Sequence, residues 1–195
     1  MNSFLSLLIG YLFGCLNASY FCAKLKGIDI KKVGTFNAGA GNIGYVLGTK
    51  YAIIVGLFDI CKTIVAYYLC TKLFNNVFYG QLAGAGCIIG HNHPFFMKFN
   101  GGKGFASLAG LIIAYDYKLI IILLPLYLIS IFVSKHMVVG SFSIMLASLF
   151  IPWFYHDLKF AIIMTLIVVA MMLRHIPNIK SLMAGNEPKI TDAKK

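Results

Sequence analysis

Seven apolar runs follow one another along this chain, and they constrain its fold more than any other feature. A transmembrane helix needs about 20 apolar residues, and fewer where the bilayer thins or neighbouring protein covers its ends. With 59% hydrophobic and only 12% charged residues, a chain of 195 residues has too little interior to bury these runs in a water-soluble domain. We therefore predict an all-α integral membrane protein with seven transmembrane helices, within residues 4–21, 51–70, 78–96, 105–115, 119–133, 137–154 (interrupted at Pro152) and 160–173.

Basic residues are concentrated on one side of the predicted membrane. The net charge is +11, from 17 Lys and Arg against 6 Asp and Glu, which in a soluble protein would indicate a nucleic-acid partner. With the N-terminus outside, only Lys72, Lys118 and Lys159 lie outside and Lys62 lies within a run, which leaves 13 of the 17 in the cytoplasm. This distribution follows the positive-inside rule. We expect the N-terminus outside, the C-terminus in the cytoplasm, no nucleic-acid partner, and one membrane-embedded domain over 1–195 with a polar cytoplasmic tail over 183–195.

Three polar stretches, at 29–44, 90–104 and from Arg174 onward, fall in the cytoplasmic segments. Glycines let the backbone turn sharply and present several amide donors to one anion, while Asn, Thr and Lys add further donors and charge. The second stretch contains Gly101-Gly102-Lys103-Gly104 before a helical pattern, so its amides and ammonium group are expected to converge on a phosphate. The alternative for the first stretch is a flexible linker. The alternative for Lys103 is a cytoplasmic lysine that only follows the positive-inside rule. Arg174 is expected to end the last span and begin the tail.

Several classes of chemistry find little support. There is no Ser-His-Asp spacing and no Cys-based site, and the five cysteines are interpreted as small buried hydrophobic residues. A metal-dependent phosphotransferase needs several carboxylates, and only six acidic residues are present, so we expect no metal ion and no cofactor. Asp59 and Lys62 lie within the second run, three residues apart, where charges are costly and are expected to pair or to reach a partner helix.

Taken in order, the polar stretches resemble the three motifs of the bacterial acyl-phosphate:glycerol-3-phosphate acyltransferase family (PlsY type), and the resemblance covers essentially the whole chain. The family's motifs read approximately DIR-x-x-GSGN-x-GATN, GH-x-x-P-x-x-x-x-F-x-GGKG-x-A and RH-x-x-NI-x-R-L-x-x-G-x-E. The residues at the corresponding positions are Asp29, Ile30, Lys31, Gly34, Thr35, Asn37, Gly39 and Asn42 for the first motif; Gly90, His91, Pro94, Phe99, Gly101, Gly102, Lys103, Gly104 and Ala106 for the second; and Arg174, His175, Asn178, Ile179, Leu182, Gly185 and Glu187 for the third.

This resemblance implies seven transmembrane helices with the three motifs gathered into one cytoplasmic site. It also implies transfer of a fatty acyl group from acyl phosphate to the 1-hydroxyl of glycerol 3-phosphate, giving lysophosphatidic acid and phosphate, the first acylation of phospholipid synthesis. Neither a metal nor a covalent acyl intermediate is implied, the location is the bacterial inner (plasma) membrane, and protein partners are left open. The resemblance also implies catalytic roles for Thr35, Lys103, His175 and Asn178. It implies substrate binding by Lys31, Gly34, Asn37, Gly39, Asn42, Gly90, His91, Gly101, Gly102, Gly104 and Arg174.

The first motif departs from the family's pattern at several positions. The largest change is Phe36, which stands where the family has glycine, and Tyr45 stands where it has an arginine suited to a phosphate ligand. A divergent membrane homologue that is non-catalytic or that takes another acceptor is the alternative these changes leave open. A phosphate or organic-anion transporter is disfavoured, because the spans carry almost no charge beyond Asp59 and Lys62. The smaller departures are Lys31 for Arg, Thr35 for Ser, Gly41 for Thr, and Lys180-Ser181 in place of the family's Arg in the third motif.

Overall fold

The computed structural model describes residues 1–190, and over that range the chain is helical, with no β-strand. This confirms the predicted all-α class for the described residues. Two short 3-10 turns, Phe95–Met97 and Tyr117–Leu119, accompany the α-helices. The α-helices are α1 (Asn2–Cys15), α2 (Ala18–Leu25), α3 (Ala40–Leu47), α4 (Thr49–Leu73), α5 (Val77–Asn92), α6 (Phe105–Tyr115), α7 (Ile120–Ser134), α8 (Met137–Phe154) and α9 (Leu158–Met183).

Five helical segments in the described part of the chain are long and apolar enough to cross a membrane, and α6 is a shorter apolar helix. The number of seven spans and the orientation of the termini stay predictions. The five segments are Asn2–Leu25, Thr49–Leu73, Tyr117–Ser134, Met137–Phe154 and Leu158–Met183.

The helix bounds differ from the predicted runs in several places; α5, for example, ends at Asn92 and not at residue 96. The first run is two helices, because the side chain of Asn17 accepts a hydrogen bond from the Tyr20 amide and caps α2. The first polar stretch contains a helix, α3, and is not all loop. The predicted interruption at Pro152 is wrong, since α8 continues to Phe154. The predicted end of the last helix at Arg174 is also wrong, since α9 continues to Met183.

The chain separates into two compact units, Met1–Tyr115 and Asp116–Lys195. In the first unit, glycines bring α1 and α5 into backbone contact. A Cβ added at Gly10 would overlap the backbone of Ala83, and one added at Gly86 would overlap the backbone of Leu7. Small residues spaced four apart allow this close approach in membranes, where apolar burial alone does not hold helices together. Helix α4 packs against α5 and α6, with Gly110 of α6 over the backbone of α4.

In the second unit, α7 packs on α8 and α8 packs on α9. Gly140 of α8 lies against the ring of Tyr127 in α7. The segment after α9 returns to the turn between α7 and α8, where the Ile190 amide donates to the carbonyl oxygen of Lys135 at 2.9 Å. Part of the predicted polar tail is therefore packed on the helices, and its last five residues, 191–195, lie outside the described residues. The prediction of a single domain over 1–195 stays a prediction.

Candidate active site

The first polar loop is organised around the side chain of Asn42, which is buried at the start of α3. Its Oδ1 accepts a hydrogen bond from the Thr35 amide at 2.7 Å, and its Nδ2 donates to the carbonyl oxygens of Ile30 (2.9 Å) and Val33 (3.1 Å). Gly34, at φ +60°, lies directly over this amide, and the space there does not admit a Cβ. One buried side chain thus sets the path of residues 30–35 and holds Thr35 at the surface.

Phe36 has a left-handed backbone conformation, with φ +56°, and its ring is 65% exposed. A side chain with a Cβ loses about 1–2 kcal/mol in this region, whereas glycine does not. The family pattern has glycine at this position, and the backbone geometry supplies the physical reason. The departure at Phe36 therefore places strain in the loop next to Thr35, while the ring adds little packing in return.

The second polar loop folds back onto the end of α5. The amide of Gly101 donates to the carbonyl oxygen of Asn92 at 2.9 Å, and that of Gly102 donates to the carbonyl oxygen of His91 at 3.0 Å. The expectation that these two amides converge on a phosphate is therefore corrected, since they satisfy the last carbonyls of a helix. Gly104, at φ +82°, accepts the Leu108 amide and so begins α6. Lys103 is half-buried two residues before Phe105, the first residue of α6.

The two loops contact each other. The Nζ of Lys31 donates to the carbonyl oxygen of Asn100 at 2.6 Å. The Cα of Gly102 faces the carbonyl oxygen of Ala38 and the ring of His91, so that a Cβ there would meet both. The same Ala38 oxygen accepts a hydrogen bond from the Nδ2 of Asn17 at 3.1 Å. The structure therefore brings the first and second motifs together at Ala38 and Gly102.

A buried ionic cluster lies beside these loops. The Nζ of Lys62 is 2.7 Å from the Oδ1 of Asp59, and each side chain is 2% exposed. The Nδ1 of His91 is 3.1 Å from the Lys62 Nζ and 3.4 Å from the Asp59 Oδ1. The ion pair expected from the spacing of Asp59 and Lys62 is therefore present within α4. Both of its residues also lie close to His91 on the neighbouring helix α5. The link to His91 has no sequence signal, because 29 residues separate Lys62 from His91.

Other residues predicted to bind substrate lie around the two loops. Gly39 caps α3, and its carbonyl oxygen is 3.5 Å from the hydroxyl of Ser19. Gly90 packs against the backbone of Tyr11, a contact that holds α1 and α5 together. Asn37 is half-buried beside Ala38. Their roles toward substrate stay predictions.

The third motif lies on α9, in the second unit. His175 is buried, and its Nδ1 is 2.8 Å from the carbonyl oxygen of Met171, which can only accept, so Nδ1 carries a hydrogen. Its ring also contacts that of Phe142, at 5.5 Å between centroids. The Nδ2 of Asn178 donates to the Oε1 of Glu187 at 2.6 Å, and Arg174 is half-buried. The third motif therefore combines the last turns of α9 with the Glu187 carboxylate. Glu187 stands at a position of the family's motif, but the sequence predicts no role for it.

Comparison with known proteins identifies the group to which this chain is related. The family model described as "Glycerol-3-phosphate acyltransferase" matches residues 4–185. A protein named glycerol-3-phosphate acyltransferase 1 from Oceanobacillus iheyensis is 35% identical over 192 residues, covering 94% of this chain and 93% of the relative. A glycerol-3-phosphate acyltransferase from Thermosipho melanesiensis is 36% identical over 190 residues, covering 97% of this chain and 93% of the relative.

Two solved structures share the fold. They are the glycerol 3-phosphate form and the lysophosphatidic acid form of PlsY, an integral membrane glycerol 3-phosphate acyltransferase. Both are 24% identical to this chain, with TM-scores of 0.90 and 0.87, and each match covers 97% of this chain and at least 95% of the solved one. These findings confirm the predicted class, an integral membrane acyltransferase of phospholipid synthesis. The chain belongs to the glycerol-3-phosphate acyltransferase family.

Proposed function

We propose that this chain transfers a fatty acyl group from acyl phosphate to the 1-hydroxyl of glycerol 3-phosphate, and releases lysophosphatidic acid and phosphate. The family and the two PlsY forms, one with glycerol 3-phosphate and one with lysophosphatidic acid, support the acceptor and the product. The observation that carries the proposal is the meeting of the two glycine-containing loops at Ala38 and Gly102, with Lys103 next to that contact at the start of α6. A cation and a helix N-terminus together favour an anionic ligand.

The reaction needs no nucleophile from the protein, because acyl phosphate is already an activated mixed anhydride. The acceptor hydroxyl oxygen attacks the acyl carbonyl carbon, and the bond from that carbon to the phosphate oxygen breaks. Phosphate leaves, and the hydroxyl proton passes to a phosphate oxygen of a substrate. The enzyme contributes orientation and charge stabilisation. We assign the stabilisation of the developing negative charge to the ammonium group of Lys103.

The remaining motif residues have roles in binding. Thr35 and Lys31, which Asn42 and Asn100 hold in place, are proposed to contact the donor phosphate. His175 and Asn178 are proposed to hold glycerol 3-phosphate, together with Arg174. Because the Nδ1 of His175 carries a hydrogen toward Met171, Nε2 is the ring nitrogen that would face a substrate oxygen or proton.

The topology that we propose has seven spans, with the N-terminus outside and the motifs on the cytoplasmic side. The protein would then act as one domain over 1–195 in the bacterial inner membrane, with the acyl chain of the donor among the helices. Thirteen cytoplasmic basic residues against three outside support this orientation. It is tested by labelling single cysteines placed at Lys118 and Lys180 in intact cells, where an impermeant reagent should reach only the former.

A related acyltransferase with another phosphorylated acceptor is the second candidate. Two observations favour it: Phe36 replaces a glycine in a left-handed position, and Tyr45, 47% exposed, replaces an arginine. The change at Tyr45 removes a cation that would bind a phosphate. Competition by other phosphorylated polyols against glycerol 3-phosphate discriminates the two candidates, because a changed acceptor would outcompete glycerol 3-phosphate at equal concentration.

The experiment that tests the proposed function supplies purified protein with acyl phosphate and glycerol 3-phosphate in the presence of EDTA. We expect lysophosphatidic acid and one equivalent of phosphate. Acyl-CoA in place of acyl phosphate should give no product, since the loops are proposed to bind the donor through its phosphate. A folded protein that forms no product from acyl phosphate, or that prefers acyl-CoA, would refute the proposal.

A further inference from the structure

We propose that Asp59 and Lys62 are positioning residues for acyl transfer. In this proposal their buried ion pair sets the relative position of the first and second loops, and therefore of Lys103. The proposal rests on the proposed function, because it takes Lys103 as the group that meets the donor phosphate. No catalytic or binding motif of the sequence includes either residue.

The ammonium group of Lys62 connects α4 to the end of α1 and to α5. An ammonium group has three hydrogens. Three oxygens surround it: the Asp59 Oδ1 at 2.7 Å, and the carbonyl oxygens of Gly14 and Leu16 at 3.1 Å and 3.0 Å. The Nδ1 of His91 is a further neighbour, 3.1 Å from the Lys62 Nζ and 3.4 Å from the Asp59 Oδ1. The pair thereby fixes the position of the His91 ring.

Two routes lead from this pair to the same place. The first passes through the carbonyl oxygen of Leu16 to the neighbouring Asn17, whose Nδ2 binds the carbonyl oxygen of Ala38 in the first loop. The second passes through the ring of His91 to Gly102, one residue before Lys103. The routes join where Gly102 faces Ala38.

The chemical nature of the pair indicates more than a packing role. Burying two charges is expensive, and apolar side chains of similar volume usually hold helices together at least as well. A charged centre differs from an apolar one in direction, because it orients carbonyl groups and an imidazole ring at set distances. Direction is what two loops that must face one substrate phosphate require.

The test combines Lys62→Met with Lys103→Ala in steady-state kinetics, with Lys72→Met on the same helix as the control. We expect Lys62→Met to lower kcat about 10- to 100-fold while KM for glycerol 3-phosphate changes less than about two-fold. In the Lys103→Ala background the same substitution should cost less than about two-fold, because residues that act through one another are not additive. Equal losses in both backgrounds would overturn the proposal, since a structural role alone lowers both rates alike.

Hydrogen exchange supplies a readout that does not depend on turnover. Lys62→Met should increase exchange of the 98–104 segment by about tenfold, while the turn at 134–137 in the second unit is unchanged. Unchanged exchange at 98–104, or an equal rise in both segments, would overturn the proposal. If Lys62→Met does not fold, the double variant Asp59→Asn/Lys62→Met removes both charges and takes its place. If the wild-type protein forms no lysophosphatidic acid while Lys62→Met still shows the expected exchange pattern, the proposed function is refuted and the coupling of the pair to the loops stays intact.

Discussion

Replacing Phe36 by glycine and, separately, by alanine isolates the backbone strain in the first loop. Phe36 has φ +56° and a ring that is 65% exposed, so truncating the ring removes few contacts. Alanine keeps the Cβ and therefore keeps the strain. Glycine removes it, because glycine adopts the left-handed region at no steric penalty. The comparison of the two variants cancels the loss of the ring, which both share.

The expected difference follows from two opposing terms. Relief of the left-handed conformation favours glycine by about 1–2 kcal/mol. The greater freedom of glycine in the open loop opposes this by about 0.5–1 kcal/mol. The ordered loop of Phe36→Gly should thus be about 1 kcal/mol more stable than that of Phe36→Ala, which is a factor of about five in the open population.

The assay is hydrogen exchange of the Thr35 amide, which is bonded to the Asn42 side chain at 2.7 Å only while the loop is ordered. We expect exchange about five-fold slower in Phe36→Gly than in Phe36→Ala. If the loop must be ordered to bind the donor, KM for acyl phosphate should be lower in Phe36→Gly than in Phe36→Ala. Faster exchange in the glycine variant would refute the argument that the backbone at Phe36 is strained.

Three further predictions concern other parts of the molecule. Gly86→Ala should destabilise the protein by about 1–3 kcal/mol in thermal or denaturant unfolding, because its Cβ would overlap the backbone of Leu7; Gly41→Ala, which has open space, is the control and should be near neutral. The pKa of Asp116 is lowered by a hydrogen bond from the Tyr155 hydroxyl and by another from the Lys118 amide. These bonds therefore stabilise the fold above the ordinary pKa of the carboxyl, and their contribution is lost as the pH falls through the lowered pKa. Tyr155→Phe should accordingly lower the melting temperature at neutral pH and have no effect in strong acid. Lys31→Met should raise exchange at 98–104 by breaking the bond to Asn100, and Lys31→Arg should restore it; no change in Lys31→Met would contradict a role for that bond.

Hydropathy predicted the helices well where polar residues flank an apolar run on both sides. The bounds of α6 and α8 coincide with the predicted 105–115 and 137–154. Where the polarity changes within a helix, hydropathy failed. The run that stops at Arg174 marks where α9 becomes polar, whereas the helix itself continues to Met183 with Pro177 inside it. Likewise, hydropathy does not detect Asn17, whose capping bond separates α1 from α2.

The motifs predicted a contact between the polar loops, while the roles of their individual residues stay predictions. The first and second motifs contact each other, as the resemblance to the family implied. The amides of Gly101 and Gly102 were assigned to phosphate, yet they bind carbonyls of α5, because the end of that helix needs donors. The clustering of Asp59 and Lys62 with His91 depends on how α4 packs on α5, and sequence spacing contains no information about that contact.

The rate of lysophosphatidic acid formation in Lys103→Ala tests the central claim most directly. Acyl phosphate and glycerol 3-phosphate are supplied at saturating concentration, and Lys118→Ala is the matched lysine control. We predict that kcat falls about 10²–10³-fold in Lys103→Ala, the usual loss when one charge-stabilising group is removed, while the control keeps wild-type activity. An unchanged kcat in a folded Lys103→Ala protein would contradict the account.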